Sequence, residues 1–188
     1  GVEVAFGPCA VLYRETLAKP MVGVGHFEPL RHYAEVHLRL SPGPRGSGIT
    51  VQSACPLDDL SLNWQRLIET HVLEKQHLGV LTGSPLTDVE VTLLSGRAHL
   101  KHTEGGDFRE AVYRAIRQGL MSGESLLLEP YYAFSVEVEL SEMGRVQSDI
   151  LRLEGQCGAP VESGGRLGLE GRGPGRTLMD CPKELVAF

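Results

Sequence analysis

Cysteine is scarce in this 188-residue chain, and what there is does not pair. Cys9, Cys55, Cys157 and Cys181 stand 46, 102 and 24 positions apart, so no Cys-x-x-Cys motif suggests zinc or thiol exchange. Scattered single cysteines fit a reducing cytosol, where they act as small hydrophobes. Long apolar runs are missing as well. No stretch approaches the roughly 18–20 residues that cross a bilayer. The N-terminus lacks the basic, apolar, small-residue order of a secretory signal. Together these point to a soluble, cytoplasmic protein with no membrane partner. Positive charge is in deficit: 18 Lys and Arg face 24 Asp and Glu, for a net charge of −6. That excludes a protein holding nucleic acid by bulk electrostatics, leaves DNA an unexpected partner and confines any RNA contact to a local patch.

Nucleotide-binding signatures are absent too. No Gly-x-x-x-x-Gly-Lys-Ser/Thr phosphate loop occurs, and Gly171-Arg172-Gly173-Pro174-Gly175 has the wrong spacing for a dinucleotide fingerprint. No cofactor is expected on this chain. Its seven histidines do not make a metal centre. His99 and His102 lie three apart in a predicted loop, while His71 and His77 would face different sides of a helix. Ser84, in Thr82-Gly83-Ser84-Pro85, reads as a turn serine rather than a nucleophile elbow. Glu69 and Glu74 read as solvated helix positions, and Trp64 as a core residue. No catalytic residue is expected.

What is present is a globular composition, 41% hydrophobic and 22% charged, with strand and helix patterns in alternation. Tyr33 to Leu40 alternates apolar and polar residues, the mark of a half-buried strand. Ser41 to Gly48 then breaks regular structure. From Asp58 the period becomes helical, with Leu60, Trp64, Leu67, Ile68, His71 and Val72 on one face. Gln65 falls elsewhere, and Asp58 or Asp59 is a candidate N-cap. Val89, Val91 and Leu93 mark another strand, and Gly96 to Gly106 a polar loop. Phe108, Ala111, Val112, Ala115 and Ile116 mark a second amphipathic helix, with Asp107 and Glu110 as a capping pair. After Pro130 the pattern restarts. A strand over Tyr132–Val138 is followed by a helix through Met143, Val146, Ile150 and Leu153. Short strands are expected around Gln156–Glu162 and Arg166–Gly171, then a helix-like segment from Thr177 to Phe188.

Functional interest concentrates in Arg97-Ala98-His99-Leu100-Lys101-His102-Thr103. Cationic donors, imidazoles and one apolar residue are the groups with which proteins grip RNA phosphates and stack on exposed bases. The same composition fits a solvated loop.

Three segments carry a resemblance to a known family. Val11-Leu12-Tyr13-Arg14-Glu15-Thr16 resembles the strand that opens domain IV of elongation factor G. Pro44-Arg45-Gly46-Ser47-Gly48 resembles its turn after a strand. Leu126-Leu127-Leu128-Glu129-Pro130 resembles the junction that opens domain V. Asp107-Phe108-Arg109 and Glu129-Pro130-Tyr131 look closer to the tetracycline-resistance ribosomal-protection proteins of that superfamily.

The resemblance implies an α+β chain. An S5-like domain with a left-handed βαβ crossover would span residues 1–127. A ferredoxin-like βαββα(β) domain lacking its last strand would span residues 128–188. Tyr132–Val138 would then be an unpaired sheet edge through which copies could self-associate. The resemblance also implies a parent translation GTPase whose GTP and magnesium sit upstream, so that this piece is not itself an enzyme. Its partner would be the ribosome, at the small-subunit ribosomal RNA of the decoding centre. The tip loops would supply Arg31, His32 and Tyr33, with Arg97, His99, Leu100, Lys101 and His102. Elongation factor G ends its tip loop in Gly-Gln-Tyr-Gly-His, where this chain has Leu30-Arg31-His32-Tyr33-Ala34-Glu35, an acid replacing the histidine. Protection proteins carry an aromatic-Ala pair, matched by Tyr33-Ala34, but a Ser-Pro-Val tip where Leu100-Lys101-His102 stands here. Both a tetracycline-protection factor and a translocase-like paralogue therefore remain open.

Overall fold

The structure is a computed structural model, and it describes residues 10–178. They divide into two compact units, Tyr13–Leu128 and a second made of Glu129 onward with the residues before Tyr13.

The larger unit is built on a four-stranded sheet ordered β2-β3-β5-β4, with strands β2 (Met21–Phe27), β3 (Ala34–Pro42), β4 (Ile49–Ser53) and β5 (Val89–Ala98). β2, β3 and β5 run antiparallel in turn, while β4 and β5 are parallel and joined through helix α1 (Leu62–Leu73). Strands β1 (Arg14–Leu17) and β6 (Ser125–Leu128) form a separate antiparallel ribbon. Alternation along β3 decides which face is covered. Ala34, Val36, Leu38 and Leu40 are wholly buried, and the residues between them face outward.

Helix α2 (Gly105–Ser122) packs its buried stripe of Phe108, Ala111, Val112, Ala115 and Ile116 against that face. It lies so close to β2 that a Cβ on Gly25 would stand 1.8 Å from the Ala111 carbonyl oxygen. Only glycine permits that approach. Trp64 belongs to the same core, with its ring 5.1 Å from that of Phe108.

Several expectations need correction here. The N-cap of α1 is Ser61, not Asp58 or Asp59, because residues 57–59 form a turn that brings buried Leu60 into the core before the helix starts. Gln65 is buried rather than solvent-facing. Its amide donates to the Cys55 and Leu60 carbonyls and its oxygen accepts from Ser53, so it replaces the hydrogen bonds that this turn would otherwise lose. β3 runs on to Pro42, an end position that needs no further ladder donor. The polar segment from Gly96 begins inside β5, since Arg97 and Ala98 still pair with Glu35 and Ala34. The capping box of α2 is Glu104 with Asp107, one turn before the Asp107–Glu110 pair.

The smaller unit has the βαββα order of a ferredoxin-like fold: β7 (Tyr131–Val138), α3 (Met143–Arg152), β8 (Gln156–Cys157) with β9 (Val161–Ser163), β10 (Arg166–Pro174) and α4 (Gly175–Leu178). β10 is central, pairing with β7 on one side and with β8 and β9 on the other. It runs through most of the glycine-rich tract. At Gly171 a side chain would collide with the Phe134 ring, 2.4 Å from its Cζ. Met143, Val146 and Ile150 of α3 cover Leu169. Arg176 ties the unit's ends together, binding Glu129 at 3.0 Å and forking onto Glu154. The helix expected over Thr177–Phe188 starts at Gly175, and its residues 179–188 lie outside the described residues.

Among the described residues β7 has one hydrogen-bonded neighbour, β10. No helix among them is long and apolar enough to cross a membrane.

Candidate RNA-contacting tip

Antiparallel pairing puts two connections at one end of the large sheet. Phe27 pairs with Ala34 at the turn between β2 and β3, and Ala34 pairs with Ala98 where β5 ends. Residues 28–33 and 99–104 must therefore meet.

They do so through named contacts. The Tyr33 amide donates to the His102 carbonyl at 2.8 Å, and the Thr103 hydroxyl donates to the Tyr33 carbonyl at 2.6 Å. The His99 amide donates to Thr103 Oγ1 at 2.6 Å, which closes the second loop on itself. His99 and His102 stack face to face, centroids 4.5 Å apart, and the Lys101 amide donates to His99 Nδ1. The first loop is anchored by His32, whose Nδ1 lies 2.9 Å from Asp107, the acid that caps α2 through the Glu104 amide. Arg31 turns the chain with a φ of 65°, a left-handed conformation.

All eight residues expected from the sequence thus lie at this end of the unit, seven in the two loops and Arg97 near the end of β5. Arg31, Leu100, Lys101 and His102 are exposed, and Leu100 is fully so at 101%. His32 and Tyr33 are half-buried and hold the loops together. The two imidazoles already stack on each other, so a base would meet one outer face of that pair.

Arg97 belongs to a second group just below the tip. On the open face of the sheet, Glu35 accepts from Tyr33 Oη at 3.0 Å and from His37 Nε2 at 2.8 Å, with Arg97 opposite in register. The bond from His37, then that from Tyr33, holds the Glu35 carboxyl below its ordinary value against the opposing effect of burial. Burial and then Glu35 push the Tyr33 phenol up. Glu35, His37, Asp59 and Arg97 line a polar cleft of about 180 Å³. The acid standing in the histidine's place is thus engaged by its own neighbours rather than offered to solvent.

Sequence reading missed two positioning groups. Asp107 joins the tip to the helix, a role that its spacing to Glu104 could have signalled. Glu74, read as solvated, instead accepts from Tyr113 Oη, Arg109 Nε and His71 Nδ1. The Tyr113 bond first, with Arg109 and His71, holds its carboxyl down to about 2. His71 lies three residues before it at the end of α1, but no sequence motif marks the site, because Arg109 and Tyr113 come from α2. Among the described residues no group of three or more His, Cys, Asp or Glu could hold a metal ion.

Residues 8–124 match the family described as elongation factor G, domain IV. The chain belongs to that family. A curated relative, elongation factor G 2 of Syntrophus aciditrophicus (strain SB), is 30% identical over 160 residues. The match takes in 82% of this chain and 23% of the relative, so the elongation factor G domain IV unit and its neighbour span about a quarter of that protein's length. A crystal structure of a Thermus thermophilus protein superposes with a TM-score of 0.86 over 95% of this chain and 27% of its own, at 24% identity. That likeness concerns the fold.

Proposed function

We propose that this chain is the ribosome-contacting part of an elongation factor G-like GTPase of the tetracycline ribosomal-protection type. Its tip enters the decoding centre of the small subunit in the cytoplasm. The observation that carries this reading is the joining of the two tip loops through Tyr33, His102 and Thr103, which presents Leu100 and Lys101 as an exposed apex. Lys101 and Arg31 would neutralise phosphates, and the His99–His102 stack offers a face to a base. GTP and its magnesium would be held by the parent protein outside this chain, whose own part is shape and contact.

The protection reading rests on Tyr33-Ala34 and on Glu35, whose engagement by Tyr33 and His37 gives the strand end a different surface chemistry from a histidine. The second reading, a translocase-like paralogue without a drug role, is favoured by the name of the Syntrophus relative.

Translation by purified ribosomes in tetracycline, with the full-length parent and GTP, separates them. Rescue that disappears when residues 100–102 are replaced by glycines supports protection through this tip. Ribosome-stimulated GTP hydrolysis without rescue favours the translocase-like reading.

A further inference from the structure

A second basic feature of the large unit lies away from the tip. Residues 75–78, which follow α1, and one flank of α2 enclose a cavity of about 270 Å³, lined by Lys75, His77, Tyr113, Ile116, Arg117 and Leu120 among others. Its floor is apolar and fixed, since Ile116 and Leu120 are buried core residues.

The charges around it are unevenly matched. Arg109 is neutralised by Glu74 at 2.9 Å. Lys75 and Arg117 have no carboxylate within ion-pair distance among the described residues. Lys75 Nζ instead sits 3.9 Å from the centre of the Tyr113 ring, a cation–π contact that leaves its charge uncompensated. Tyr113 itself stays a neutral phenol, pushed up to about 12 by burial and by Glu74. His77 is also kept neutral. Its Nε2 donates to the Val72 carbonyl at 2.8 Å, which leaves Nδ1 as the acceptor nitrogen.

Two cations without a carboxylate partner, set over an apolar floor, are complementary to a phosphate. The same cations would also meet an acidic peptide; RNA is favoured because the tip of this unit is read as an RNA contact.

We propose that the Lys75–Arg117 cavity binds a backbone phosphate of RNA, as a second contact separate from the tip. This rests on the reading that the unit works against RNA. Arg117 lies about 15 Å along α2 from Asp107, at a rise of about 1.5 Å per residue. A strand engaged at the tip and held again here would be fixed in register by its backbone, without any base being read at the second point.

The test is a titration of the isotope-labelled 188-residue chain with a short oligouridylate, followed by NMR. Saturable shifts are expected at the amides of Gln76, His77, Leu78 and Arg117. Lys75→Ala with Arg117→Ala should weaken them about five-fold and flatten the salt dependence by about 1.4, for two contacts on a single strand. Both side chains are exposed, so the variant should fold, and Lys75→Arg with Arg117→Lys should retain binding. Lys101→Ala should leave these shifts in place whether or not it affects the tip. Unchanged affinity in the double alanine variant overturns the proposal, as does loss of the shifts with Lys101 alone. Inorganic phosphate matching the oligonucleotide would make the cavity a small-anion site, and polyglutamate matching it would make it a peptide site. Either result overturns the assignment to RNA.

Discussion

Glu15 and Thr82 meet twice: Oε1 of the buried carboxylate accepts from the Thr82 amide at 2.8 Å and from its hydroxyl at 2.9 Å. The Leu81 and Ser84 amides complete the set. A 66-residue gap in sequence is thus closed by one side chain, which pins the turn at residues 81–84 to β1. Burial alone would raise this carboxyl, but the four bonds outweigh it and its pKa falls below the ordinary 4.5. A depressed acid contributes stability above its unfolded value and loses it as pH falls through the folded one. Glu15→Gln turns an acceptor-only group into one that opposes amide donors with its own NH₂. Urea unfolding at neutral pH should show a loss of about 2–3 kcal/mol. The difference from the parent should shrink under acid conditions, and a constant difference down to about pH 2 would contradict the assignment.

Lys101 and Lys19 are both exposed lysines of the same unit at opposite ends of the sheet. Lys19 stands in the turn before β2 and pairs with Glu124 at 3.0 Å, while Lys101 crowns the tip. Lys101→Ala in the parent protein should weaken ribosome co-sedimentation and lower the salt slope by about 0.7, the share of one phosphate contact on an unpaired strand. Lys19→Ala should do neither. Equal effects from the two would remove the tip from the binding account.

Gly25 and Gly106 provide a matched pair for testing how α2 is seated. A Cβ at Gly25 would strike helix backbone at 1.8 Å, with no flexible neighbour to yield, whereas Gly106 has nothing within 4 Å. Gly25→Ala should cost about 3 kcal/mol through displacement of the helix. Gly106→Ala, in the first turn of α2, should be neutral or stabilise by about 0.5 kcal/mol. Comparable midpoints for the two in urea would mean that β2 and α2 are not in close contact.

The legible parts of this fold were those set by local periodicity. β3, β7 and the buried stripe of α2 follow from alternation and from the spacing of Phe108 to Ile116, because strand pleat and helical repeat express themselves within one element. The tip was legible as composition, and the pairing of its two loops only through family resemblance. What local reading could not supply were groups whose partners lie far along the chain. Gln65 looks like a surface residue until Cys55 and Leu60 turn their carbonyls toward it. Glu74 looks solvated until α2 brings Arg109 and Tyr113 to its side, and Glu15 carries no sign of the residue 81–84 turn. In each case the polar side chain satisfies a backbone or side-chain group made needy by tertiary packing, so no local pattern announces it.

His77 should carry part of the unit's acid sensitivity. It is buried, and burial first of all, with Lys75 nearby, lowers its pKa below 6.5 despite the bond to Val72. The unfolded chain then binds a proton that the folded chain refuses, so stability is complete above about pH 6.5 and declines as pH falls beneath it. The imidazole signals of His77 should titrate below 6.5, the ordinary value, and the melting temperature should drop between about pH 7 and pH 5. His77→Gln retains a donor for the Val72 carbonyl and should flatten that drop. A His77 midpoint at or above 6.5 would show that the ring is solvated.

β7 invites a test of association. Its whole length pairs with β10, from Tyr131 opposite Pro174 to Val138 opposite Leu167, and among the described residues nothing pairs with its other side. Such an edge presents unpaired amides and carbonyls as a template for a second strand. Tyr131 and Tyr132, 57% and 44% exposed, add apolar area that a paired copy would cover. Sedimentation of the 188-residue chain should therefore show a concentration-dependent dimer. Ala133→Lys, placing a charge on this exposed strand, should shift the equilibrium to monomer without altering the far-ultraviolet circular dichroism. A chain that stays monomeric at its highest soluble concentration would mean that the edge is covered, and the association idea would be abandoned.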